Sequence, residues 1–252
     1  IGDDQKGKVL TEELVKKGIS IDVLILDEER PTTIKTRVIA QHQQVVRVDR
    51  EDTSELSGKA LGRITEYIED KMRGVDAVII EDYGKGLITP GLLKKVVPLA
   101  QRLKKIVTVD PKEEHFSYYK GVTSITPNRT EAENAVGFKI KDNAALVKAG
   151  QTILRKLRCK TALITLGENG MALFQRGKAR PLLIPTIAQE VFDVSGAGDT
   201  VISVFTLALC CRAAMEEAAH IANCAAGIVV GKVGIAVVTK EELIERIRQE
   251  IE

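Results

Sequence analysis

Asp193-Val194-Ser195-Gly196-Ala197-Gly198-Asp199-Thr200, followed by the apolar run Val201 to Cys211, decides how this chain is read. A β-branched apolar segment leads in, two glycines one residue apart make a turn, and a helical run leads out. Glycine reaches backbone conformations that other residues avoid, and it leaves room for a ligand to come close. A helix that opens at the turn directs unpaired N–H groups back at it, which favours an anion. Asp199 then places a carboxylate beside an anion cradle. Such a carboxylate is repulsive unless it takes a proton from a hydroxyl attacking bound phosphate. The plainer reading is a tight strand-to-helix turn in which Asp199 is a first-turn acid favoured by the helix dipole. Two familiar nucleotide motifs are excluded. No Gly-Lys pair is followed by Ser or Thr, and Val201 stands where the dinucleotide fingerprint needs its last glycine.

Outward from this turn, strands alternate with helices. Residues 75–80, 106–109, 122–126 and 161–166 are short, continuous apolar runs of the kind buried on both faces of a parallel sheet. Helices are expected over 6–17, ended by Gly18, from Asp52-x-x-Glu55, from Thr89-Pro90 to about 103, over 143–157, over 216–231, and after the capping box Thr239-x-x-Glu242. Residues 21–26 are a further strand candidate, and 171–175 with 182–185 a hairpin. Residues 33–39 and 45–49 alternate, which predicts two antiparallel strands with one apolar face and one polar face bearing Lys35, Arg37 and Arg47. That ribbon, about 32–50, is either a solvated hairpin or a flap whose cations meet a sugar phosphate. The fold class is therefore α/β with a largely parallel sheet.

Polar and glycine-rich residues gather just after the strands, at 81–86, 110–112, 127–131, 167–170 and 193–199. In open α/β sheets the ligand lies outside the carboxyl ends of the strands, so five such clusters predict one cleft. Asn128-x-x-Glu131 reads as a helix cap or as a handle for nucleotide phosphate and Mg²⁺ water. Lys85 is an exposed lysine between glycines or a phosphate contact. Asp110 and Lys112 pair with each other or with a ligand. Residues 165–170, with Thr165 and Gly167, are a hairpin entry or the rim of a nucleotide site.

Composition narrows the classes. The 252 residues carry 37 basic and 35 acidic side chains, a net charge of +2, which argues against a dedicated nucleic-acid or membrane-surface binder. No Trp is present and aromatics are 4%, too few for base-stacking platforms. Cys159, Cys210, Cys211 and Cys224 have no CxxC spacing and read as free thiols in a reducing compartment. His42, His115 and His220 form no HxxxH pair. With no apolar run of ~18 residues and no signal peptide, the expectation is a cytoplasmic protein without a membrane partner.

Residues 193–200 resemble the C-terminal signature of the ribokinase-like family of small-molecule kinases. Asn128-Arg129-Thr130-Glu131 looks like that family's N-x-x-E, residues 166–170 like its nucleotide loop, and Ile1-Gly2-Asp3-Asp4-Gln5-Lys6-Gly7 like its G-x-D-x-x-G. A closer likeness runs through Arg30 to Ala40, Gln43-Gln44, Arg47-Val48-Asp49, Asp82-Tyr83-Gly84-Lys85-Gly86 and Ala222 to Gly234. These resemble the kinase domain of the bifunctional heptose 7-phosphate kinase/ADP-heptose synthase enzymes.

The resemblance implies a three-layer αβα fold with a β lid, spanning 1–252 as a single kinase domain that is incomplete at its N-terminus. It implies ATP-dependent phosphorylation of the anomeric hydroxyl of D-glycero-D-manno-heptose 7-phosphate, toward ADP-heptose and lipopolysaccharide core. Under it Asp199 is the base, and the amides of Gly196, Ala197 and Gly198 form the anion hole. Asn128, Arg129, Thr130, Glu131, Thr165, Gly167 and Asn223 meet ATP, with Glu131 reaching Mg²⁺ through water. Lys85, Arg37 and Lys112 meet the substrate, and Asp193 and Ser195 match a monovalent-cation (K⁺) position. A homodimer is expected, with an adenylyltransferase as a fused or cooperating partner. Two alternatives stay open: another phosphosugar kinase of the same family, or a non-catalytic nucleotide-binding remnant lacking the upstream sugar-binding segment.

Overall fold

The computed structural model describes the chain except residues 23, 41–42, 188–190 and 252. It forms two compact units, one of residues 1–73 with 84–96 and the other of residues 74–83 with 97–252.

In the larger unit the apolar runs become a six-stranded sheet in chain order. It comprises β3 (Ala77–Glu81), β4 (Ile106–Asp110), β5 (Ser124–Ile125), β6 (Thr161–Thr165), β7 (Met171–Gln175) and β8 (Leu182–Ile184). The first four are mutually parallel, and β7 and β8 return as an antiparallel hairpin. Neighbouring residues on β7 show that both faces are covered, since side chains alternate across a strand. Met171 and Leu173 join a core with Val201, Phe205 and Leu209 of α6 (Ala197–Cys210) and Ala218, Ala219 and Ala222 of α7 (Met215–Val230). Phe174 lies on the other face, against Gly150 of α5 (Asn143–Leu157), where an added Cβ would come within 2.4 Å of the ring. Helix, sheet and helix therefore make three layers. Thr108 of β4 and Thr206 of α6 share a buried 2.7 Å hydrogen bond that registers helix against strand. Helix α8 (Lys240–Ile251) begins at the expected capping box, with Thr239 N–H donating to Glu242 and Glu242 N–H to Thr239 Oγ1.

The smaller unit holds α1 (Gln5–Lys16), the antiparallel ribbon β1 (Ile34–Ala40) and β2 (Gln43–Arg50), and α2 (Gly58–Lys71). Helix α3 (Pro90–Arg102) starts here, with Thr89 Oγ1 accepting from Leu92 N–H. The Gly2-x-Asp4-x-x-Gly7 segment is a clamp. Asp4 accepts from Gly7 N–H at 2.8 Å and from Thr32 N–H at 3.0 Å. A Cβ at Gly7 would fall 2.3 Å from the Gly2 carbonyl.

Three expectations change. The described residues of 21–26 form no strand; pairing is limited to one bridge between Gly2 and Asp27. Asp52 does not start a helix, because its carboxylate turns onto Ser54 N–H and Oγ, and Ser57 caps α2 instead. The described residues leading into 193–200 are not strand, so the signature turn is entered from a loop. The ribbon keeps the expected faces, Val38 opposite Val46 and Thr36 opposite Val48 on the apolar one, Lys35 opposite Asp49 and Arg37 opposite Arg47 on the polar one, and Val38, Val46 and Val48 are exposed. All four cysteines are unpaired, Cys159 and Cys224 buried, Cys210 half-buried and Cys211 exposed at the C-cap of α6.

Candidate active site

Parallel pairing puts Glu81 and Asp110, the last residues of β3 and β4, side by side. Helix α6 begins opposite them. Gly196 caps it at φ 82, a left-handed conformation that glycine adopts without strain, and no side chain caps this end. Gly198 leaves the space in which Asp110 Oδ2 lies 3.8 Å from the position a Cβ would take. The outcome is a group of three carboxylates, Glu81, Asp110 and Asp199, whose oxygens lie within 4.8 Å of one another.

Their electrostatics follow from this crowding. Burial, then repulsion from Asp199, raises Glu81 to about 7. Burial, then Glu81, Glu131 and Asp199, raises Asp110 to about 8. Glu81 and Asp110 therefore share a proton near neutrality through their mutual hydrogen bond. Tyr83 Oη donates to Asp199 Oδ1 at 3.0 Å and fixes the orientation of that carboxylate. Burial and the Asp199 charge hold the phenol protonated far above its usual range. One residue earlier, the buried Asp82 carboxylate accepts from Tyr119 Oη at 2.6 Å and pairs with His115 Nδ1 at 2.8 Å. Both flanks of the β3 end are thus pinned.

Beside this group lies a cleft of about 370 Å³ lined by Thr165, Gly167, Val194, Ala197, Gly198 and Asn223, among others. Thr165 is brought to Asn128 by a parallel bridge. Asn128 and Glu131 complete the capping box of α4 (Arg129–Val136), Glu131 N–H donating to Asn128 Oδ1 at 3.0 Å and Asn128 N–H to Glu131 Oε2 at 2.8 Å. The capping reading of this pair is therefore present, and burial, its largest influence, raises the Glu131 carboxyl. Asn223 reaches the cleft but spends its amide on the Pro185 carbonyl at 2.9 Å. Gly167 stands at φ 62 at the start of the 3₁₀ turn Gly167–Asn169.

Other sequence candidates are differently placed. Arg129 lines a separate cavity with Asn143, Leu166 and Asn169, and Thr130 is exposed. Lys112 pairs with Glu114 at 3.6 Å, not with Asp110. Lys85 and Arg37 belong to the smaller unit. Lys85 pairs with Glu51 at 2.5 Å, and Arg37 stands exposed across from Arg47. Of the three signature amides, Ala197 N–H donates within the turn to Val194 O at 3.2 Å. Asp193 Oδ1 accepts from Ser195 N–H at 2.8 Å, which shapes the loop entry.

The arrangement has a carboxylate oriented by a phenol at a helix N-terminus, with an uncapped end suited to an anion. A donor set of carboxylate oxygens, whose repulsion a divalent ion would relieve, fits Mg²⁺. Tyr83 and Glu81 received no role from the sequence. The signal available was their place in the polar cluster that ends β3.

A profile of the pfkB family of carbohydrate kinases matches residues 1–241. The bifunctional protein HldE of Pelobacter propionicus is 43% identical over 247 residues, covering 98% of this chain and 50% of the relative. HldE of Helicobacter hepaticus is 42% identical over 98% of this chain and 51% of the relative. The chain thus spans about half the length of the curated relatives it matches. Among solved structures, phosphofructokinase-2 of Escherichia coli in complex with potassium superposes at TM-score 0.81 with 16% identity, over 100% of this chain and 80% of that one. Arabidopsis thaliana ribokinase complexed with ribose and ATP superposes at 0.77 with 20% identity, over 98% and 80%. These two share the fold.

Proposed function

The chain belongs to the pfkB family of carbohydrate kinases, and from that premise we propose that it moves the γ-phosphoryl group of ATP to the anomeric hydroxyl of D-glycero-D-manno-heptose 7-phosphate. The observation that carries this choice of sugar is the 43% identity to an HldE protein across 98% of the chain. In this reading the product is the 1,7-bisphosphate used for ADP-heptose and lipopolysaccharide core. The rest of the HldE length corresponds to an adenylyltransferase, fused or separate.

Asp199 takes the hydroxyl proton while Tyr83, donating to its Oδ1, keeps the carboxylate oriented. The open N–H groups at the start of α6 meet charge on the transferring phosphoryl, where positioning and electrostatics matter more than the strength of the base. Thr165, Gly167 and the 128–131 turn border the nucleotide, and Lys112 supplies a cation for the sugar phosphate. Mg²⁺, held through Glu131 by water or by the Glu81–Asp110–Asp199 group, would neutralise phosphate charge. Asp193 and Ser195 frame a K⁺ position, so activity is expected to rise on replacing Na⁺ with K⁺. The exposed valines of the β1–β2 ribbon support a homodimer, read by light scattering on the purified protein.

The test is an ADP-release assay on a sugar panel. Turnover on heptose 7-phosphate with little on fructose 1-phosphate or tagatose 6-phosphate is the expected result. Preference for a hexose phosphate overturns the choice of sugar, and binding of ATP with no turnover on any sugar favours a non-catalytic module.

A further inference from the structure

The larger unit carries a second large cavity, of about 630 Å³, at the opposite ends of the same strands. Five cations line it: Lys104, Lys105, Arg158, Lys160 and Arg176. Among the described residues no carboxylate lines it. Lys104, Arg158, Lys160 and Arg176 form no ion pair among the described residues. Glu216, beside the lining residue Met215, is already held by Lys178.

Helix dipoles account for part of this charge. Lys104 lies just past the end of α3, and Arg158 is the C-cap of α5, both at left-handed φ of 56 and 53. Cations are favoured at such ends. Lys160 and Arg176 lie on no helix. They flank β6 and β7 and are joined by Arg176 N–H donating to the Lys160 carbonyl at 2.9 Å. Four unpaired like charges in one concavity repel one another and concentrate anions there.

We propose that this cavity is a binding site for a compact polyphosphate anion, separate from the catalytic cleft. The guanidinium groups suit bidentate contact with phosphate oxygens, and the lysines add point charge. Thr123, whose hydroxyl oxygen accepts from Val107 N–H, keeps its own proton to donate. The lining holds no aromatic ring to stack a base and no acid to receive an amine, so the phosphate chain itself is what it recognises.

The site is linked to catalysis by two rigid elements. The cavity touches Ile106, the first residue of β4, and Leu209 in the last turn of α6. Asp110 ends that strand and Asp199 lies in the first turn of that helix. Strand and helix span about 13 and 20 Å, so both sites can be filled together.

The test is calorimetric titration of the purified protein with inorganic triphosphate at low salt, in Mg²⁺-free buffer. A binding event is expected, weakening as salt is raised. Lys160→Ala/Arg176→Ala is expected to lose at least about tenfold in affinity, with unchanged melting and unchanged basal turnover. Lys104→Gln/Arg158→Gln, on different elements, should weaken binding likewise and serves if the first pair fails to fold. Absence of a binding event overturns the proposal. So does equal affinity in a folded variant, which would assign the anion to the catalytic cleft.

Discussion

Asp199 and Tyr83 lie far apart in the chain and meet at 3.0 Å, and their separate removal distinguishes chemistry from positioning. Asp199→Asn keeps shape and hydrogen bonding but cannot accept the proton. A loss of at least about 10²-fold in kcat is expected, with the KM for ATP little changed. Near-normal turnover would remove Asp199 from the role of base. Tyr83→Phe leaves the base and frees its orientation, so a smaller fall in kcat, about tenfold, is expected from misplacement alone. Glu81 and Asp110 carry a pH signature. Their folded values, about 7 and about 8, lie above those of the unfolded chain. The folded state holds protons that the unfolded state has released, so their contribution is fully present below about pH 4 and is lost as pH rises through 7 and 8. The melting temperature of the ligand-free protein should therefore fall across that window. Asp110→Asn should flatten the slope, and an unaltered slope would count against the shared proton. At this scale the sequence was half legible. Glycine spacing marked 193–200 as an anion turn, whereas the Tyr83–Asp199 bond depends on which strand lies beside α6, and no local pattern carries that.

Strand ends and helix starts were the legible elements. Continuous apolar runs announced β3, β4, β5 and β6 because a strand buried on both faces has no room for polar alternation. Register was not legible: nothing local tells that Glu81 stands opposite Asp110, and the carboxylate group exists only because it does. Residues 21–26 have strand composition, yet a strand also needs a paired neighbour. Asp52 has the chemistry of a helix cap, yet its carboxylate was captured by Ser54 two residues on. The α4 start shows how one pair can do two jobs. Glu131→Gln preserves an acceptor for the Asn128 N–H, so stability should change by less than about 0.5 kcal/mol. A rise in the apparent KM for MgATP in that variant would then report the ion and not the cap. Asn128→Ala should instead cost about 1 kcal/mol of stability through the lost cap. Equal stability loss in both variants would reduce the motif to a helix start.

The whole molecule was legible as α/β with a largely parallel sheet, because strand and helix patterns alternate along the chain. Its division into two units was not, since the smaller one takes residues 1–73 and 84–96 and so interrupts the larger. The ribbon keeps its pattern, with Val38, Val46 and Val48 on one face and Lys35, Arg37 and Arg47 on the other, but alternation alone did not tell that the apolar face stays exposed. One molecular property has a practical use. Burial pushes the Cys159 thiol up to about 11 and raises those of Cys224 and Cys210, whereas Cys211 is exposed. Thiolate is the reactive form, so a maleimide fluorophore at neutral pH should attach at Cys211 before the others. That residue ends the helix that begins at the signature turn. A native, mutation-free optical reporter is thereby built into the far end of that helix.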